Sequence, residues 1–146
     1  MNKYQYTLLL ADDDDDDCTF FNEALDEIPV SAALTTVNDG VQLLQFLENN
    51  TLPDILFLDL NMPRKNGFEC MTEIKNSDKL KDLPIIIFST SLDINIVDQM
   101  YEKGAIYYIK KPGDFNKLKK VIENALIISA ENNFKQPERD QFVLQP

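Results

Sequence analysis

Five short apolar runs punctuate the chain, at residues 6–11, 33–37, 55–58, 85–88 and 106–109, and a stretch with helical spacing follows each of them. Runs this short, with no polar alternation in the middle three, suit strands buried on both faces of a parallel sheet. The stretches between them carry apolar residues at helical intervals: Phe20, Phe21, Ala24, Leu25 and Ile28; Val41, Leu44, Phe46 and Leu47; Phe68, Met71 and Ile74; Ile94, Val97 and Met100; and Phe115, Leu118, Val121, Ile122, Ala125 and Leu126. Strand then helix, five times over, predicts an α/β fold, and right-handed crossovers make it a doubly wound sheet. The chain's 146 residues allow one such domain over residues 1–129. Residues 130–146 are polar with two prolines and read as a tail without room for an output domain, although Phe142, Val143 and Leu144 are apolar enough to dock on something.

The charge narrows the chemistry. Up to Pro63 there are one lysine and thirteen acids; beyond it there are thirteen bases and twelve acids. A net charge of −11 argues against nucleic acid and anionic membranes as partners, since both need a basic face. Histidine is absent, which removes imidazole catalysis, His-ligated zinc and phosphohistidine on this chain. Two cysteines, Cys18 and Cys70, are too few for a disulfide scaffold or a thiolate metal site. Residues 1–10 lack a signal-peptide core, and no apolar run is long enough to span a bilayer, so the expected address is the cytoplasm.

Ligands in open parallel sheets sit beyond the carboxyl ends of the strands, near the reversal of strand order. The first run ends in Asp12 and Asp13, the third in Asp59 followed by Asn61, the fourth in Ser89 and the fifth in Lys111. The six aspartates at residues 12–17 would elsewhere pass for a solvated tail, but this block follows directly on a buried strand. An EF-hand is ruled out by the missing alternation and glycine. Two unit charges about 5 Å apart cost roughly 3 kcal/mol at an effective dielectric near 20, so clustered carboxylates need raised pKa values, a cation or an ammonium beside them. Oxygen donors alone favour a hard cation, and a few carboxylates plus water suit Mg²⁺. A cation, an ammonium and a hydroxyl around one carboxylate describe a phosphoryl site with Asp59 as acceptor.

These residues resemble the receiver domain of response regulators in two-component systems, over about residues 5–128. The motifs are Leu8-Leu9-Leu10-Ala11-Asp12-Asp13, the segment from Pro53 through Asp59 to Pro63 with Gly67, then Ile87-Phe88-Ser89, and Gly104-Ala105 leading to Tyr108-Ile109-Lys110-Lys111-Pro112. The resemblance implies a CheY-like, flavodoxin-like (βα)5 sandwich with strand order 2-1-3-4-5. It implies that Asp59 is the phosphorylated aspartate and that Asp12, Asp13, Asp59 and the backbone carbonyl of Asn61 hold Mg²⁺, with Asp13 preferred over Asp12 as the direct ligand. It further implies that Ser89 holds a phosphoryl oxygen, that Lys111 pairs with the phosphoryl charge, and that Ser89 and Tyr108 form the switch. A cis Lys111–Pro112 peptide is implied as well. The register within the aspartate run is placed by the end of the strand, and Ser89 is preferred over Thr90 as the hydroxyl. Asp14 and the aspartates after it are expected to open the first helix.

The expected function is a stand-alone receiver. It would take its phosphoryl group from a sensor histidine kinase or a phosphotransfer protein and act on a downstream protein, with a homodimer through the fourth helix, fifth strand and fifth helix as a further possibility. The long loop at residues 75–83 and the Ser-Thr-Ser strand end resemble single-domain receivers paired with phytochrome-type kinases. Two rivals stand beside it. A Mg²⁺-dependent phosphohydrolase with an aspartate nucleophile would want an acid where Asn61 stands, and a scaffold receiver would not need Asp13, Asp59, Ser89 and Lys111 together.

Overall fold

The computed structural model describes residues 5–146, so the first four residues of the expected 1–129 unit lie outside it. Strands β1 (Gln5–Ala11), β2 (Ser31–Val37), β3 (Ile55–Leu58), β4 (Ile85–Ser89) and β5 (Tyr107–Lys110) alternate with helices α1 (Asp15–Glu27), α2 (Gly40–Asn49), α3 (Gly67–Lys75), α4 (Ile94–Glu102) and α5 (Phe115–Glu131). All strand pairs are parallel, in the order β2-β1-β3-β4-β5, the flavodoxin-like receiver arrangement.

Strand alternation deals the apolar side chains to two cores. Leu9, Leu56, Leu58, Ile85, Ile87 and Tyr108 face α2, α3 and α4. Leu8, Leu10, Ile55, Phe57, Ile86, Phe88 and Ile109 face α1 and α5. Phe21 of α1 stands edge-on to both Phe57 and Phe88, at 4.9 and 5.4 Å between ring centroids. The central strands β3 and β4 are buried at every position, as continuous apolar runs require.

Each helix begins at the carboxyl edge of the sheet behind an aspartate or asparagine cap: Asp14, Asp39, Asn66, Asp93 and Asp114. These side chains accept the otherwise unpaired N–H groups of the first turn. Asp14 accepts from Asp16 and Asp17 at 2.8 and 3.1 Å, so the aspartate run is divided between the edge of the sheet and the start of a helix.

The structure corrects several expectations. The run at residues 33–37 belongs to an edge strand, so Thr35 and Thr36 are exposed rather than buried on both faces. Phe20 and Ile94 are exposed instead of lining the core, because Phe21, Ala24 and Leu25 already fill the inward stripe of α1 and Ile94 opens α4 ahead of its packed turn. Lys111–Pro112 is trans, the intrinsically preferred isomer by about 0.5–1 kcal/mol. In that form Lys111 N–H still reaches the Ser89 carbonyl at 2.7 Å. The sheet also has a sixth strand. After a 3₁₀ turn at Arg139–Gln141, β6 (Val143–Leu144) pairs in parallel with β5, because Phe142 and Leu144 find apolar seats on the open sheet edge.

Candidate functional site

The carboxyl ends of β1, β3, β4 and β5 are adjacent, and this brings the sequence-predicted residues to one place. Asp12, Asp13 and Asp59 each present a carboxylate oxygen within 4.8 Å of the others. Asp12 and Asp59 are buried and Asp13 is exposed, so the cluster opens to solvent on one side. Backbone bonds fix the frame: Asp12 N–H donates to the Val37 carbonyl and Asp59 N–H to the Ala11 carbonyl, both at 3.0 Å.

Lys111 is the compensating charge. Its Nζ lies 2.8 Å from Asp12 Oδ2, 2.9 Å from Asp17 Oδ2 and 3.2 Å from Asp59 Oδ2. It also stands 5.5 Å from the centroid of the Phe88 ring. Burial alone would lower the lysine's pKa, but its bonds to Asp12 and Asp17 and the charges of Asp12 and Asp59 outweigh burial and hold it above the ordinary value. Asp12 shows the opposite balance. Burial pushes its pKa up from 3.8 to about 6, against the pull of Lys111 and of the Asp14 N–H that donates to its Oδ1. Asp12 Oδ2 is buried, and among the described residues the Lys111 ammonium at 2.8 Å is its one partner.

The donor set tests whether a cation suits the site. Three carboxylates converge, two of them buried, with no imidazole or thiolate beside them, and Lys111 pairs with only Asp12 and Asp59 of the three among the described residues. A hard, oxygen-seeking divalent ion fits such a donor set. Asn61 contributes its backbone N–H, which donates to Asp59 Oδ1 at 3.1 Å and orients that carboxylate.

Ser89 is buried at the end of β4, while Thr90 is exposed. The Ser89 hydroxyl oxygen accepts the Ser91 N–H at 3.2 Å, and no bond joins it to Asp59 or Lys111 among the described residues. Tyr108 is fully buried, and its hydroxyl donates to the Ser91 carbonyl at 2.7 Å. Gly67 lets α3 begin against the acceptor loop: a Cβ there would sit 2.5 Å from the Asp59 carbonyl oxygen.

Asp17 is the residue that sequence reasoning missed. Its place in the run predicts the opening turn of α1, and it is there, but its carboxylate also reaches Lys111. Nothing in a run of identical residues marks the one that faces the sheet.

A family model described as the response regulator receiver domain matches residues 8–123. Response regulator Rcp1 of Synechocystis sp. is 30% identical over 122 residues, which are 80% of this chain and 83% of Rcp1. Among solved structures, the phosphorylated cyanobacterial phytochrome response regulator RcpA superposes with a TM-score of 0.80 at 27% identity, covering 88% of this chain and 96% of RcpA. The Mn²⁺-bound form of Rcp1 superposes with a TM-score of 0.74 at 30% identity, covering 85% of this chain and 92% of that one.

Proposed function

This chain belongs to the response regulator receiver domain family, and on that footing we propose that Asp59 accepts a phosphoryl group from a sensor histidine kinase or a phosphotransfer protein. The observation that carries the reading is the convergence of Asp12, Asp13 and Asp59 at the carboxyl edge of the sheet, with Lys111 paired to Asp12 and Asp59. In this reading residues 1–129 are the receiver unit; α5 runs on to Glu131, and residues 132–146 are an appendage folded back upon it. The same reading puts the protein in the cytoplasm, beside the kinase domain that would supply its phosphoryl group. Among the described residues no helix is long and apolar enough to cross a membrane.

Asp12, Asp13, Asp59 and the Asn61 carbonyl would hold Mg²⁺, which when bound neutralises charge on the transferring group. The chain's own residues do the rest. A carboxylate oxygen of Asp59 forms the new bond to phosphorus as the donor's bond to phosphorus breaks, and the electron pair leaves with the donor's imidazole nitrogen. The Asn61 N–H holds the carboxylate in its rotamer. Lys111, already 3.2 Å from Asp59, pairs with the phosphoryl oxygens. Ser89 turns its hydroxyl toward one of them and gives up its contact with Ser91 N–H. Tyr108 follows, because its acceptor is the Ser91 carbonyl, and the α4–β5–α5 face repacks to change the binding of a downstream protein. A homodimer through that face is part of the same reading.

Incubation with Mg²⁺ and acetyl phosphate or beryllofluoride tests it. The expected result is an Asp59-dependent adduct with a conformational change. Turnover of added phosphoesters would indicate a phosphohydrolase, and no response a scaffold.

A further inference from the structure

The C-terminal segment lies across the very face that the proposed switch would use. Gln136 Nε2 donates to the Tyr101 and Ala105 carbonyls at 2.7 and 2.8 Å, and the Tyr101 hydroxyl donates to the Pro137 carbonyl at 2.7 Å. Arg139 pairs with Asp98 of α4 at 2.7 Å. Beyond them Val143 and Leu144 pair with Tyr108 and Ile109, and Tyr108 N–H donates to the Phe142 carbonyl at 3.0 Å. Phe142 is fully buried, edge-on to Tyr101 at 5.1 Å and to Tyr108 at 6.2 Å.

A short relay therefore runs from the candidate site to this segment. The Ser89 hydroxyl holds Ser91 N–H, the Ser91 carbonyl holds the Tyr108 hydroxyl, and the Tyr108 ring seats Phe142. We propose that residues 132–146 are a strap occupying the β5 edge in cis, and that phosphoryl binding at Asp59 and docking of this strap oppose one another through Tyr108.

The proposal rests on the receiver reading. When Ser89 turns to a phosphoryl oxygen it releases Ser91, which carries the acceptor of Tyr108. A Tyr108 ring that follows leaves a void beneath Phe142, and voids under buried aromatics are costly. The rest of the strap is a two-residue strand and a few rim contacts, too little to hold alone. Its release bares an unpaired strand edge and an aromatic seat, to which a partner adds an extended segment in parallel with β5. Coupling of this kind is reciprocal: strap docking weakens phosphoryl binding by the same factor by which phosphoryl binding weakens strap docking.

Hydrogen exchange on the full chain, with Mg²⁺ and with or without beryllofluoride, tests this, adduct formation being followed separately by fluorine NMR. The peptide covering residues 141–145 is expected to exchange at least about fivefold faster in the adduct, and Phe142→Ala to bind beryllofluoride at least about fivefold more tightly. Arg139→Glu, which faces Asp98 at the rim and leaves the core intact, should shift both quantities in the same direction. An adduct that forms with exchange and affinities unchanged overturns the coupling while leaving the receiver reading in place. Absence of any adduct in wild type and variants overturns the receiver reading and the coupling with it. Protection of residues 141–145 that scales with chain concentration overturns the assignment in cis.

Discussion

At the scale of single residues, the site is a contest between burial and charge, and Asp12 shows it most plainly. Its pKa lies above that of the unfolded chain, so folding favours the protonated form. The associated stability is present below about pH 4 and is lost as pH rises through about 6, up to about 3 kcal/mol in all. The metal-free protein is therefore expected to melt lower at pH 7.5 than at pH 5. A bound divalent ion offsets the same repulsion, so Mg²⁺ should raise the melting temperature clearly at pH 7.5 and hardly at pH 4; thermal melts across that range check it. Asp59→Asn removes one buried charge from the cluster. It should stabilise the metal-free protein by about 1–2 kcal/mol in urea titrations while abolishing labelling by acetyl phosphate. Asp17→Asn frees Lys111 from one of three acids and should speed labelling severalfold, read from the rate of adduct formation.

At the scale of elements, packing between helices and strands decides what the site can tolerate. The start of α3 is pressed against the acceptor loop, where a Cβ on Gly67 would lie 2.5 Å from the Asp59 carbonyl oxygen and 2.7 Å from Leu60 Cα. Both are backbone atoms and cannot swing aside. Gly67→Ala should cost about 1–3 kcal/mol by urea denaturation and slow labelling, because the acceptor loop must shift to make room. The buried strands were legible in the sequence because β3 and β4 are unbroken apolar runs, and the rim residues because each stands one or two positions beyond an apolar run. Less legible was anything decided by neighbours. Whether residues 33–37 form an edge or a central strand depends on strand order, which periodicity does not contain. Phe142, Val143 and Leu144 are three apolar residues in a polar stretch, and only the open edge of β5 makes the last two a strand. The side of α1 that Phe20 takes is settled by Phe21 filling the seat against Phe57 and Phe88.

For the molecule as a whole, the uneven charge matters more than its sum. Nearly all the excess acid precedes Pro63, and the six aspartates converge near one edge. Self-repulsion of that kind weakens with ionic strength, since the Debye length shortens from about 30 Å at 0.01 M to about 8 Å at 0.15 M. Raising NaCl over that interval should lift the melting temperature of the metal-free protein at pH 7.5 by about 2–4 °C, and by less once Mg²⁺ is present. The six letters of the aspartate run look interchangeable, yet Asp12 lines the pocket, Asp14 caps α1 and Asp17 grips Lys111. Copying errors that drop one codon from such a repeat leave five aspartates and a sequence hardly altered to the eye. The polypeptide would register it as a turn of α1 by about 100° against β1, carrying Phe21 away from the rings it packs against. A tract that seems the most forgiving of length changes would thus be among the least.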